Sequence, residues 1–362
     1  MKKIIKWVLI VIGALVILVG AFFGILTIAE YRPAETENLE IRRHGGSSAS
    51  TALTPAAGVP LNLLTWNIGY ASLDESQDFF MDGGKGVQPP NDENVKRNLA
   101  GIRETISRSG CDVALVQEAD IASKRSYYVD QRAYLTENFS GVSVFAHNFL
   151  CIFVPLPFPE FIGRVSSGLV TLSRFEISAA QRRSLPNPFS WPVRAANLKR
   201  CLLVSRIPLG NPANKGAELV VVNLHLEAYD SSGGREAQTK ALLDFLRQEY
   251  AKGNYCIAGG DFNQSFPGID PVRFAVKRSD YFVAGTLSPS LLDSGWQYAA
   301  DRETPSCRLL NEPYSGDPDN TQLYVIDGFI LSPNVELVEV STFDLGFKYS
   351  DHNPVKLKVL LK

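Results

Sequence analysis

Five short polar clusters sit at the margins of apolar runs in this chain, and they restrict its fold to one that brings several strand ends together. They are LLTWN, ending at Asn67; ALVQE, ending at Glu118; VVNLHLE, around His225; IAGGDFN, around Asp261 and Asn263; and YSDHNPV, around Asp351 and His352. Apolar runs of about 4–8 residues bounded by turn formers read as buried strands. Open α/β sheets gather their chemistry beyond strand C-termini. Asn, Glu, His and Asp in this set offer hard oxygen ligands for a divalent cation, a carboxylate to activate water and imidazoles to move protons. Two of the chain's four histidines lie in the clusters.

Between the clusters the pattern alternates. Residues 91–108 place Val95, Leu99, Ile102 and Ile106 on one helical face, with Asn91 or Asp92 as the cap. Residues 234–250 form a second amphipathic helix. LNLLTW, CDVALVQ, SGLVTLSR, RCLLVSRI, AELVVVNLHL, NYCIAGG, VIDGFILS and VKLKVLL read as strands. Strands mixed with helices predict a layered α/β domain.

The N-terminus is of another kind. Residues 7–29 carry no charged side chain, and about 20 apolar residues cross a bilayer. Lys2, Lys3 and Lys6 precede the stretch, so residues 1–6 are expected in the cytoplasm and the remainder outside, as a single-pass cell-membrane protein. A cleaved signal peptide is the alternative, though its apolar core is normally shorter, about 7–15 residues. Ser, Ala, Thr, Glu and Gly with little apolar periodicity make residues 30–59 a flexible tether, leaving 60–362 as the folded domain. Net charge is −2; without the three leading lysines the remainder is about −5, which provides no global footprint for nucleic acid. Cys111 and Cys256 read as small buried thiols, while Cys151, Cys201 and Cys307 leave one disulfide open.

Each cluster has a plain structural reading beside the chemical one. Asn67 suits a turn, and Glu118 suits a satisfied strand end. Asp261 and Asn263 share a face if the chain stays extended, and otherwise close an Asx-type turn. His225 shares its strand face with Asn223 and Glu227, a polar row that favours a cleft. Asp327 in VIDGF is costly to bury unless paired, and a histidine is its natural partner. Asp351 and His352 precede a strand, with Pro354 holding the approach.

The order WN, QE, N-x-H-L, GDFN, SDH resembles the endonuclease/exonuclease/phosphatase superfamily, the metal-dependent group that includes deoxyribonuclease I, exonuclease III, inositol polyphosphate 5-phosphatases, deadenylases and bacterial sphingomyelinases. The resemblance spans about residues 61–362. It implies a four-layer α/β sandwich, two packed mixed sheets flanked by helices, here preceded by one transmembrane helix. It implies Mg²⁺ as cofactor, with Mn²⁺ or Ca²⁺ as alternatives, held by Glu118, Asn67 and Asp351. It also implies Asp261 orienting or deprotonating water, and Asn263, with Asn223, at the substrate phosphate. His352, oriented by Asp327, would stabilise the phosphorane, and His225 would be the acid for the leaving alkoxide.

His225 stands where repair enzymes of the exonuclease III type carry Asn in a PN motif, so base-excision repair is disfavoured. Arg235 and Gln238 look like the R-x-x-Q that follows the histidine in phosphatase-like and sphingomyelinase-like members. The expected substrate is a phosphodiester or phosphomonoester: a phospholipid headgroup, a nucleic acid or a phosphorylated small molecule. A sphingomyelinase-like phospholipase and an extracellular nuclease stand as specific alternatives, with a catalytically silent binding module as a third. No obligate protein partner is evident. Residues 145–164, with five phenylalanines and three prolines, are expected as an aromatic loop, packed over the domain's own core or facing lipid.

Overall fold

Two seven-stranded mixed sheets form the centre of this computed structural model, which describes residues 1–45, 54–210, 216–229, 233–317 and 319–362. Helix α1 (Lys2–Ile28) is followed by strands β1 (Thr36–Asn38), β2 (Ile41–His44) and β3 (Leu61–Asn67), then α2 (Asp92–Ser109) and β4 (Val113–Asp120). A short α3 (Gln131–Thr136) precedes β5 (Gly141–Val154), β6 (Gly163–Ser173), β7 (Ala179–Ser184), β8 (Cys201–Pro208) and β9 (Glu218–His225). After α4 (Gly234–Ala251) come β10 (Tyr255–Asp261), β11 (Gln264–Ser265), β12 (Gly285–Thr286), β13 (Gln297–Ala299), β14 (Cys307–Arg308) and β15 (Leu323–Tyr324). Strands β16 (Asp327–Leu331), β17 (Val335–Thr342) and β18 (Val355–Leu361) close the chain. One sheet runs β1-β7-β8-β9-β10-β16-β13 and the other β17-β18-β3-β4-β6-β5-β2.

Alternation along each strand sorts side chains into layers. Leu63, Leu115, Leu169, Leu203, Val221, Ile257, Phe329 and Leu357 fill the space between the sheets. Leu64, Trp66, Ala114 and Val116 meet Val95, Leu99 and Ile102 of α2 on one outer face, while Val220, Val222 and Cys256 meet Leu242 and Leu246 of α4 on the other. The result is the four-layer sandwich. Asn91 caps α2 by accepting from the Asn94 N–H at 3.1 Å, and Gly110 ends that helix in the left-handed region. Parallel pairing within each sheet, β3 with β4 and β9 with β10, aligns Asn67 with Gln117 and His225 with Asp261.

Two expectations need correction. Residues 30–59 are not a tether throughout: β1 pairs with β7 and β2 with β5, completing one edge of each sheet. Leu39 and Ile41 pack against the inter-sheet core, and strands this short are held by the ladder they join, which leaves little periodicity to read. Residues 46–53 of the expected tether lie outside those described. The phenylalanine-rich segment is not a loop either, because its first half lies in β5, which forms a long hairpin with β6. No disulfide joins any of Cys111, Cys151, Cys201, Cys256 or Cys307. Helix α1 is long and apolar enough to cross a membrane.

Candidate active site

Parity alone would send Glu118 the wrong way. Along β4, Val113 and Leu115 face the other sheet while Ala114, Val116 and Ala119 face α2, so both Gln117 and Glu118 must fit between two outward residues. The register of β4 against β6 slips between Val116 and Ala119, and Glu118 has a φ of 56°. This bulge turns both side chains inward. A non-glycine residue in the left-handed region costs on the order of 1–3 kcal/mol and concentrates at functional positions. Gln117 is consumed there, donating to Asn223 Oδ1 at 2.7 Å and Thr65 Oγ1 at 3.1 Å. Glu118 emerges at the end of the sheet with its side chain a quarter exposed.

Asn67 lies on the neighbouring strand and bridges two acids. Its Nδ2 donates to Glu118 Oε1 at 3.1 Å and to Asp261 Oδ2 at 3.0 Å, while its Oδ1 accepts from the Gly69 N–H at 3.0 Å. As placed, the Asn67 amide nitrogen holds both carboxylates. Gly69 has a φ of +49°, and a Cβ there would stand 2.6 Å from Asp351 Oδ1. The missing side chain leaves Asp351 its place.

Asp261 reaches the centre because Gly260 lets β10 pass Leu224 closely: a Cβ on Gly260 would sit 1.9 Å from the Leu224 carbonyl oxygen. The Asp261 carboxylate accepts from the Asn263 N–H at 2.8 Å, and Asn263, with a φ of 52°, leaves the extended course. The cluster is therefore an Asx-type turn as well as a chemical one. Asn263 Nδ2 donates to the Leu226 carbonyl at 2.9 Å. Two imidazoles flank Asp261 Oδ2, His225 Nε2 at 3.5 Å and His352 Nε2 at 3.8 Å. His352 Nδ1 lies 2.8 Å from Asp327 Oδ2, which also accepts from Ser306 Oγ at 2.8 Å.

These neighbours set opposite charge states on the two histidines. Burial holds His225 well below the ordinary imidazole value, and the charges of Arg200 and His352 press the same way. Burial would also lower His352, but Asp327, with Cys307 and Asp351, overcomes it and holds this ring well above the ordinary value. The two rings are thus biased in opposite senses, His225 towards the neutral form and His352 towards the imidazolium. A ring held towards its neutral form must take up a proton before it can give one to a leaving group. Burial and the charge of Asp327 push Asp261 up to about 7, while burial pushes Asp351 up to about 6, with Glu118 adding to the shift.

The residues fit a divalent cation. Asp351 and Asp261 are buried acids raised by burial and by neighbouring carboxylates, Glu118 for the first and Asp327 for the second, a surplus of negative charge that a cation would offset. Glu118 and Asp351 are the hard donors at the open end, and Asn67 stiffens the first of them. Asp261, Asp327 and His352 also bring ligand atoms within 4.8 Å of one another, but the Asp327–His352 hydrogen bond occupies two of the three groups. A concavity of about 1050 Å³ at the opposite ends of these strands, lined by Arg103, Cys111, Phe139 and Arg174, includes none of the candidate site residues.

Asn223 does not reach the cleft. It is fully buried, its Oδ1 accepts from Gln117, and its Nδ2 donates to the Val116 and Val170 carbonyls at 3.1 and 2.9 Å. It ties the two sheets together, correcting the substrate-binding role expected for it. Asn223→Ala should lower stability by about 2–4 kcal/mol, because three buried polar groups lose partners. Turnover by the folded fraction should stay within about threefold of wild type, a split that thermal melts and initial rates would resolve. Several residues at the site escape sequence reading. Arg200 donates to Glu227 Oε2 and to the His225 carbonyl, both at 3.1 Å. Tyr229 Oη donates to Asp82 at 2.8 Å. The Arg125 guanidinium lies 3.7 Å from the Tyr70 ring centroid and pairs with Asp120. Only Glu227, two residues after His225 on the same face, carries a sequence signal.

The sequence profile of the Endonuclease/Exonuclease/phosphatase family matches residues 64–352. Among solved structures, the chain is similar to an endonuclease/exonuclease/phosphatase from Beutenbergia cavernae DSM 12333 at 18% identity and a TM-score of 0.53, covering 83% of this chain and 72% of that one. It is similar to a functionally unknown conserved protein from Enterococcus faecalis V583 at 16% identity and a TM-score of 0.53, covering 83% and 100%. It is also similar to the human Nocturnin catalytic domain with bound sulfate anion at 15% identity and a TM-score of 0.50, covering 90% and 97%. At such identities the likeness concerns the fold. No curated protein matches the chain.

Proposed function

The chain belongs to the endonuclease/exonuclease/phosphatase family, and on that premise we propose that it is a membrane-anchored, Mg²⁺-dependent phosphoester hydrolase whose catalytic domain lies outside the cytoplasm. One observation carries the reading: a carboxylate with a pKa near neutrality, Asp261, is fixed by Asn67 and the Asn263 N–H between a neutral and a charged imidazole. A general base works best with a pKa close to the working pH. Asp261 takes the proton from water, and the water oxygen attacks phosphorus as the bond to the leaving oxygen breaks. The His352 imidazolium offsets charge growing on the phosphoryl oxygens. Neutral His225, 3.5 Å from Asp261, receives the abstracted proton and passes it to the leaving alkoxide. Asn263 positions the phosphate. Glu118 and Asp351 would hold Mg²⁺, which when bound would supply Lewis-acid charge to the phosphoryl group.

The pH profile tests the assignment of the base. With Asp261 pushed up to about 7, kcat/KM for a soluble phosphodiester should rise with unit slope up to about that pH, because only the deprotonated form accepts a proton. It should stay high until His352 loses its own proton at higher pH. An acid limb near the ordinary aspartate value of about 4 would sink the role given to Asp261. Plasmid DNA, a phospholipid and inositol phosphates assayed side by side would separate the specific activities.

A further inference from the structure

The end of α1 and the mouth of the cleft lie at the same end of the sheets. Strand pairing places Ala119 opposite Gly168 and Asp120 opposite Ser167, so Glu118 stands level with the middle of β6. From there the β5–β6 hairpin continues through Val165 to Gly163, about 16 Å at ~3.3 Å per residue, and projects beyond the cleft floor on the cleft's own side. Helix α1 ends against this projection. Phe22 stacks edgewise on Phe153 at 6.2 Å and Phe23 on Trp191 at 5.9 Å. Trp191 Nε1 donates to Thr27 Oγ1 at 3.0 Å. The following chain then runs away from the tip, with Tyr31 against His147 at 6.1 Å and Thr36 opposite Arg183.

This junction is built to be rigid. The Glu30 side chain is 2% exposed and receives Arg194 and Lys199, each at 2.9 Å. Leu26 is buried beside them. A helix fixed in this way sets the angle of the domain above the bilayer. Twenty residues cover the hydrocarbon thickness at ~1.5 Å each, and twenty counted from Trp7 end at Leu26. The side chains that pack on Phe22 and Phe23 therefore lie at the depth of the outer interface.

Around that level the domain presents large apolar side chains to solvent. Phe158 is 84% exposed, Leu156 59%, Trp191 56%, Val193 55% and Ile152 46%. An aromatic and aliphatic rim beside an emerging helix is what a lipid interface accommodates. We propose that this rim lies in the headgroup plane of the bilayer that holds α1, so that the cleft opens onto the membrane and its substrate is the phosphoester of a lipid. The substrate class rests on the hydrolase reading above.

The full chain reconstituted in vesicles of phosphatidylcholine and phosphatidylglycerol provides the test. In a Trp7→Phe background, lipids brominated on their acyl chains should quench Trp191 fluorescence, and adding Trp191→Phe should remove that quenching. Combined Ile152→Ser, Leu156→Ser and Phe158→Ser changes should slow hydrolysis of vesicle phospholipid about tenfold or more. Hydrolysis of soluble bis(p-nitrophenyl) phosphate should stay within about twofold. Absence of quenching overturns the placement of the rim. Cleavage of the soluble diester or of plasmid DNA without cleavage of vesicle lipid overturns the substrate class and leaves the hydrolase standing. Failure to cleave any phosphoester, soluble or lipid, overturns both.

Discussion

Glu118→Ala is expected to lower kcat/KM by about 10³-fold or more while leaving the protein folded. The side chain is a quarter exposed and supports no core packing; its hydrogen bond comes from Asn67, which keeps its other contact to Asp261. What is lost is the hard carboxylate at the open end of the site. Alanine retains the left-handed φ at this bulge, so the backbone strain is little changed and the melting temperature should move by only a few degrees. Metal dependence should move with the rate, with residual turnover needing far more Mg²⁺. A variant within about tenfold of wild type at the same Mg²⁺ concentration would remove Glu118 from the cation site.

His352→Ala should cost more, about 10³- to 10⁴-fold in kcat, and should also destabilise the protein. Its ring is the partner of Asp327, a fully buried carboxylate otherwise held by Ser306. Removing one member of such a pair costs about 3–5 kcal/mol, so the rate must be read on protein shown to be folded. Asp327→Asn separates the two effects. The amide oxygen still accepts from Nδ1, so the ring keeps its place, but the charge that holds the imidazole protonated is gone. The alkaline limb of kcat/KM should then fall towards the ordinary histidine value of about 6.5. The acid limb should fall too, because Asp327 also raises Asp261. A profile identical to wild type would deny His352 its role as a cation.

The layers, and the faces that gather most of the candidate residues between the sheets, are legible in the sequence for a physical reason. Strand alternation and helical periodicity report which face a residue occupies, and Asn67, Asp261, His225 and Asp327 all follow the parity of their strands into the space between the sheets. Depth along a strand is a different matter. Asn223 and His225 share a face, yet two residues, about 7 Å, separate a clamp inside the core from a group in the cleft. Glu118 defeats parity altogether, because a bulge is set by its partner strand and leaves no mark in ALVQE. The strands at 36–38 and 41–44 are invisible for a related reason: their stability lies in ladders to β7 and β5, not in their own composition. Arg200 and Arg125 come from segments without a motif and act through tertiary contacts alone.

Hydrolysis of bis(p-nitrophenyl) phosphate by protein stripped of metal with a chelator, before and after Mg²⁺ is restored, tests the central claim most directly when wild type is run beside Asp261→Asn. Turnover absent from stripped wild type, returning with Mg²⁺ and missing from the variant throughout, is the expected result. Turnover that survives chelation, or that proceeds equally in Asp261→Asn, would contradict a cation-assisted attack of water activated by Asp261.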